Sequence, residues 1–330
     1  MFSTPAVVGD VVCVGSCSGV FYALDRATGQ PRDRHDVFSE DSVHRQFHGD
    51  ALLDGDLLLI GTDAGEGDSA YVFAFERGSA KVRWRRSMGP GLTCDIARWR
   101  SYRYIVTLLD ELVCFDAASG ATRWSYRAHP SLRNDRSGSP AVVGDRVVFA
   151  DRDGVVHAFD AATGRALWRR PQIDPLSTWL AVADSSLIFV RGQDALVRLD
   201  PVTGMERGRS IIPGGPFVGP ITNVGDSLLL LLGPRTLTCF DLTRDRVRWS
   251  RSDAREWSSS RPYVWRDMAL AGSERGRVVA YGLADGAERW THPLVGVPRG
   301  IGMGADTLYV GTLKGRLHAF VERREATNGR

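Results

Sequence analysis

Lysine is nearly missing from this chain: only Lys81 and Lys314 occur, and the positive charge rests on arginine. Net charge is a mild +3 over 330 residues with no basic block, so nucleic acid finds no electrostatic footprint and is not expected as a partner. No apolar run reaches the roughly 18 residues that a helix needs to cross a bilayer. Cysteines number five, an odd count without metal-like spacing, which fits a reducing compartment. Cys13, Cys114 and Cys239 stand in apolar strand segments and read as small buried hydrophobes. The start, Met1 to Val8, has neither a basic region nor a cleavage site. The chain as written is therefore expected in the cytoplasm, and in the periplasm if a signal segment precedes it.

What the chain does have is one phrase written eight times. Its clearest copy runs from Ala158-Phe159-Asp160 through Thr163-Gly164 to Trp168. The position of Asp160 recurs at 25, 76, 116, 160, 200, 241, 282 and 321, at intervals of 51, 40, 44, 40, 41, 41 and 39. A period of about 40 with strand content is the mark of a propeller, one four-stranded blade per repeat. Within a repeat, Pro140 to Val143 is a short apolar strand, Gly144-Asp145 a tight turn, and Arg146 to Ala150 a second strand. Val155 to Asp160 alternates with period 2 as a third strand, and Arg165 to Trp168 is the fourth. One such sheet cannot bury both faces, so neighbours in a ring must supply the cover. Trp84, Trp124, Trp168, Trp249 and Trp290 then fall on outermost strands, where an indole packs between blades and its N–H seeks a backbone acceptor. The eighth copy has no tryptophan, and a last blade of three strands or a weakly completed one follows. The seam between blades one and eight is the expected weak point.

The Ala-x-Asp-x-x-Thr-Gly-x-x-x-Trp phrase resembles the repeat of the pyrroloquinoline-quinone (PQQ) type β-propellers, over nearly the whole chain. That family includes quinoprotein alcohol dehydrogenases and the propeller lipoprotein of the outer-membrane β-barrel assembly machinery. The resemblance implies the fold and leaves function open. Quinoprotein enzymes add calcium-binding acidic residues, a catalytic Asp and groups stacked on the cofactor, and these cannot be carried over to residues of this sequence. Neither adjacent cysteines nor a lipidated cysteine near the start is present.

Two motifs yield to their context. Gly15-Ser16-Cys17-Ser18-Gly19 looks like a nucleophile elbow, but an elbow joins a strand to a helix and this segment joins two strands. Asp151-x-Asp153-Gly154 looks like the front of a calcium loop without its later ligands, and reads as a hairpin. Blade two carries a second insertion, Asp63 to Asp68, whose Glu66 and Asp68 sit among glycines that point to flexibility.

Function would concentrate in the connections from each fourth strand to the next blade, which converge on one mouth of the central channel. Binding candidates there are His44, His48, Asp50, Asp95, Arg136, Trp179, Phe217, Trp257, Arg261 and Arg299, with Phe217 and Trp257 expected as exposed aromatics. Ordinary solvated loops, their charges paired among themselves, compete with that reading. His44 and His48 stand four apart, but extended chain there would not bring them together, so no metal site is expected.

The sequence thus points to an all-β fold, an eight-bladed propeller of four-stranded antiparallel blades with an incomplete last blade. Residues 1–330 are read as one domain of about eight repeats. The expected function is a non-catalytic, monomeric scaffold that binds a protein or peptide partner through the channel-mouth loops, with no catalytic residues, no metal and no cofactor. The alternative is a PQQ-dependent oxidoreductase, or another enzyme using the Asp, His and Arg residues of the mouth.

Overall fold

The computed structural model describes residues 3–65, 68–129, 138–171, 179–217, 219–252, 256–257 and 261–321. Eight antiparallel sheets follow one another along the chain as the blades of a β-propeller. Blade 1 shows the plan: strands Ala6–Val8, Val11–Gly15, Val20–Asp25 and Pro31–Asp36 pair in sequence order from hub to rim. Blades 3 to 7 repeat it. Blade 2 has a fifth strand, Arg45–Phe47, which joins Leu52–Asp54 on the same edge of Leu57–Ala64. Among the described residues blade 8 has three strands, Pro298–Met303, Thr307–Thr312 and Leu317–Val321, which is consistent with the incomplete last blade that the truncated repeat implies. Apart from one short helix, Phe38–Asp41, the described chain is strand and turn.

The cores lie between blades. Second and third strands are apolar on both faces, as strands buried on both sides must be. Phe21, Phe47, Phe73 and Phe75 fill the seam between blades 1 and 2, and Ile188, Leu196, Leu229 and Phe240 that between 5 and 6. Among the described residues, none of the six core clusters joins blade 8 to blade 1. Close backbone packing and polar contacts hold that seam. A Cβ on Gly300 or Gly302 would run into the backbone of Ser3 or Pro5, and Arg26 reaches Asp306, Thr307 and Tyr309 across it.

The repeated phrase sets the rim. Its Asp caps its own turn: Asp160 Oδ1 accepts from the Thr163 N–H and hydroxyl, Asp25 and Asp116 accept the same pair from Thr28 and Ser119, Asp200 accepts the Val202 and Thr203 N–H groups, and Asp241 accepts the Arg244 N–H and the Thr243 N–H and hydroxyl. These bonds favour the ionised form. Turn N–H groups and Arg207 hold Asp200 down to about 2. In blades 1 to 7 the register between third and fourth strands slips by one residue just before the Asp position. This bulge turns the fourth strand so that its tryptophan leans on the next blade. There each indole lies over the turn glycine: Trp84 on Gly120, Trp124 on Gly164, Trp168 on Gly204 and Trp249 on Gly286. An added Cβ at any of these glycines would sit 2.6–2.7 Å from ring carbon, and all four have φ between +64° and +72°. Trp124, Trp168 and Trp249 donate their indole N–H to the carbonyls of Ala161, Pro201 and Leu283. The Trp84 N–H is buried without a bond, and the turn that would receive Trp290 falls outside the described residues.

Where the tryptophan is replaced, its glycine is replaced too. Blade 1 carries Asp33 in the indole position and blade 2 answers with Ala80, whose N–H donates to Asp33 as does the Ser79 hydroxyl, each at 3.0 Å. Blade 5 carries Gly208 and blade 6 answers with Asp245, whose carboxylate enters the gap and accepts from Arg198 and Ser210 of blade 5.

Candidate functional site

The hub is built from one recurrent position, the residue two before the innermost strand of each blade. Strand bounds place Thr4, Asp50, Asp95, Ser139, Trp179, Pro220 and Arg261 there in blades 1 to 7. In blade 8 the pairing Gly302↔Tyr309↔Ala319 sets Gly300 at the same place, with Arg299 beside it. Three of the eight are charged, acid on blades 2 and 3 and arginine on blade 7, and Arg299 of blade 8 stands next to the ring.

Arg261 spans the hub. Its guanidinium lies 3.0 Å from Asp50 and also bonds Asp95, on the blade directly opposite. A belt of bonds runs round from there. Thr4 N–H donates to Asp50 Oδ1 and Asp50 N–H to Asp95 Oδ1, both at 3.0 Å; Asp95 N–H donates to the Ser139 hydroxyl at 3.1 Å. The Thr4 and Tyr263 hydroxyls meet at 3.2 Å, and Tyr263 donates to the Arg299 carbonyl. Gly49 is required here, since a Cβ would stand 2.5 Å from the Cys94 carbonyl oxygen. Burial pushes the Asp50 carboxyl up, against the pull of Arg261; the two carboxylates hold Arg261 firmly charged although burial opposes this.

The other sequence candidates distribute around this triad. His44 is exposed and stacks on Phe38 at 4.4 Å. His48 bonds Gln46 at 2.9 Å and lies 3.6 Å from Asp63; burial lowers its pKa. The intervening Arg45–Phe47 is extended, so the two imidazoles do not form a helical pair. Trp179 is half-buried, and Arg299 pairs with Glu274 at 3.3 Å. Arg136 lies outside the described residues, as does Glu66 of the blade 2 insertion.

Two expectations need correction. Phe217 and Trp257 are not exposed aromatics, because both connections fold back over a seam instead of standing in water. Phe217 is 2% exposed in the core between blades 5 and 6, its N–H bonded to the Gln193 carbonyl. Trp257 is 7% exposed, bridges to Ser273 and meets Tyr281 edge-on. The Asp151 turn is a hairpin whose carboxylate accepts from the Asp153 and Val155 N–H groups and faces the His157 imidazole. Thr4, Ser139 and Tyr263 were missed; for Thr4 and Ser139 the available signal was a small hydroxyl residue two before an Ala-Val-Val strand.

A quinone with its calcium does not fit these residues. Among the described residues no group of three or more His, Cys, Asp or Glu is placed to hold a metal ion, and the acidic pair at the hub is already spanned by Arg261. No described helix is long and apolar enough to cross a membrane.

Comparison with known proteins adds three findings. The family model PQQ_2, described as outer membrane protein assembly factor BamB, matches residues 1–86, 68–178 and 152–305. Among curated proteins the chain is similar to the quinohemoprotein alcohol dehydrogenase ADH IIB of Pseudomonas putida, 30% identical over 34% of this chain and 17% of that one. It is also similar to the outer membrane protein assembly factor BamB of Burkholderia pseudomallei, 28% identical over 52% of this chain and 45% of that one. The chain thus matches less than half the length of either curated relative. Among solved structures, BamB from Moraxella catarrhalis superposes over 97% of this chain and 96% of its own with a TM-score of 0.77, at 17% identity, which speaks for the fold alone.

Proposed function

The chain belongs to the family described as outer membrane protein assembly factor BamB, a PQQ-like propeller family, and on that premise we propose that it is a non-catalytic scaffold which holds a protein partner at the hub mouth. One observation carries this reading: the hub presents an ordered, charge-segregated ring of side chains on a rigid toroid. On such a face the Asp50, Asp95 and Arg261 charges pair within the hub and fix its shape, and the Arg299 guanidinium beside them on blade 8 orients a partner by electrostatic complementarity. Loops held by rigid strands are suited to recognition. Trp179 and His44 supply ring surface beside the charges, and Arg299 supplies a half-exposed guanidinium.

Arg261 serves this face from beneath. It is engaged by two carboxylates, so its role is to hold the hub rather than to reach a partner. The partner is proposed to be a component of outer-membrane protein assembly, after the description of the relatives. That description also agrees with the periplasmic setting and lends the cytoplasmic one no support.

The test is capture from an envelope extract, followed by mass spectrometry, with wild type and a His44→Ala, Trp179→Ala, Arg299→Ala triple variant. Enrichment of an assembly component by wild type, lost in the variant at unchanged melting temperature, is expected. Equal capture by both proteins refutes the hub mouth as the binding face. Incubation with PQQ and calcium is expected to give no stoichiometric quinone absorbance, and such a band with dehydrogenase activity would end the scaffold reading.

A further inference from the structure

The repeats serve as controls for one another, and blade 4 departs from them at two facing positions. The third-strand residue just before the one opposite the tryptophan position is apolar in blades 2, 3, 5 and 7: Phe73, Val113, Val197 and Val279. In blade 4 it is His157, which pairs across the strands with Arg169. The counterparts of Arg169 in blades 2 and 5, Arg85 and Arg209, are bound to Glu40 and Glu206. Arg169 itself is exposed and has no partner among the described residues.

His157 is 3% exposed and fixed on two sides. Its Nε2 lies 2.8 Å from Asp151 Oδ2, and Phe149 stacks on the ring at 5.1 Å. Asp151 is buried and accepts the Asp153 and Val155 N–H groups with its other oxygen. Burial works against its charge, but the His157 and Val155 bonds outweigh this and hold the carboxyl below its usual range. His129 flanks the same Oδ2 at 3.4 Å. A carboxylate only accepts, so Nε2 carries the hydrogen and the neutral ring keeps Nδ1 as an acceptor, without a partner among the described residues. Beside the ring, at the rim between blades 3 and 4, lies a cavity of about 190 Å³. Its lining includes His157, Arg169, Ala166, Tyr126, Phe159 and Trp168.

We propose that this cavity binds a small phenolic acid, a single aromatic ring that carries a hydroxyl and a carboxylate. The volume suits one substituted ring, since a cavity of roughly 150 Å³ holds benzene. Tyr126, Phe159 and Trp168 supply the aromatic walls. The ligand hydroxyl donates to His157 Nδ1, and its carboxylate takes the Arg169 guanidinium in two parallel bonds. An imidazole held in one tautomer selects for a donor, because an analogue without one leaves Nδ1 unpaired. The cavity contains none of the hub residues, so the proposal stands apart from the reading of the mouth.

The probe is 4-hydroxybenzoate, titrated into the full chain by isothermal calorimetry. Saturable 1:1 binding is expected, at least about tenfold tighter than that of 4-methoxybenzoate, which lacks the donor, or of 4-hydroxybenzamide, which lacks the charge. Arg169→Gln should weaken binding by about tenfold or more at an unchanged melting temperature, because Arg169 is exposed and unpaired in the free protein. Ala166→Phe, also at an exposed position, should block the cavity. His157→Phe keeps a ring in the strand and should abolish the preference for hydroxyl over methoxy. Absence of saturable binding, equal affinity for the three ligands, or full binding by Arg169→Gln or Ala166→Phe each overturns the proposal. A hydroxyl preference that survives in His157→Phe overturns the role given to the imidazole.

Discussion

Trp249 and Gly286 form a lock whose energy can be separated from that of its parts. Trp249 is 6% exposed, donates to the Leu283 carbonyl at 2.9 Å, and covers the turn of blade 7. Truncation to alanine removes a buried indole and orphans that carbonyl, a loss of about 3–5 kcal/mol. For a chain of this size that corresponds to a fall of about 4–7 °C in Tm. Gly286→Ala acts from the other side. Its Cβ would lie 2.6 Å from Trp249 Cδ2, at φ +64°. Overpacking of about 1–3 kcal/mol adds to a left-handed backbone strain of about 1–2 kcal/mol. In the Trp249→Ala background the clash partner is gone and only the strain remains. The double variant should therefore be more stable than the sum of the single losses by about 1–3 kcal/mol. Guanidinium midpoints at unchanged m-value measure all four corners of the cycle. Strict additivity, or a wild-type Tm for Trp249→Ala, would refute the role assigned to the pair.

Three further outcomes follow from the chemistry of the hub, the turns and the thiols. Arg261→Ala leaves Asp50 and Asp95 facing each other, so its folded-state carboxyl pKa rises further above the unfolded value; the penalty should be largest at neutral pH and shrink as pH falls toward about 4, and a pH-independent penalty in urea titrations would contradict this. The turn carboxylates Asp25, Asp200 and Asp241 are depressed in the fold, so their contribution is present above the unfolded pKa of about 4 and lost as pH drops toward the folded value of about 2 at Asp200; thermal scans should show the steepest loss of Tm in that acid window. Burial pushes the thiols of Cys13 and Cys239 up to about 11 and that of Cys114 up to about 12, so at pH 8 a disulfide reagent should modify the half-buried Cys17 first and reach these three only on unfolding; rapid modification of all three in the native protein would contradict their burial.

The blades were legible because their period, turn glycines and aspartates are local signals. Asp160 and Thr163 are three residues apart and make their turn alone. The hub was legible only in its membership. Asp50, Asp95 and Arg261 could be named as mouth residues, but a contact between blades 2, 3 and 7 depends on how a ring of eight closes, which no stretch of sequence encodes. Phe217 and Trp257 were misjudged for a related reason: a connection rich in Gly, Pro and Ser reads as solvent-facing whether or not it doubles back over a seam. The exchange of Gly208 with Asp245 was present in the sequence as two irregular repeats, and acquires meaning only once they are known to touch.

That exchange restricts how such a ring can evolve. Repeats that look interchangeable in length and turn chemistry carry sided identities, a key on one flank and a matching recess on the other. Copying blade 6 behind blade 4 would drive the Trp168 indole onto Asp245, while moving blade 4 behind blade 5 would leave Arg198 without its acid. Lineages that reshuffle whole modules must therefore move them in adjacent pairs, or change both flanks of a junction together.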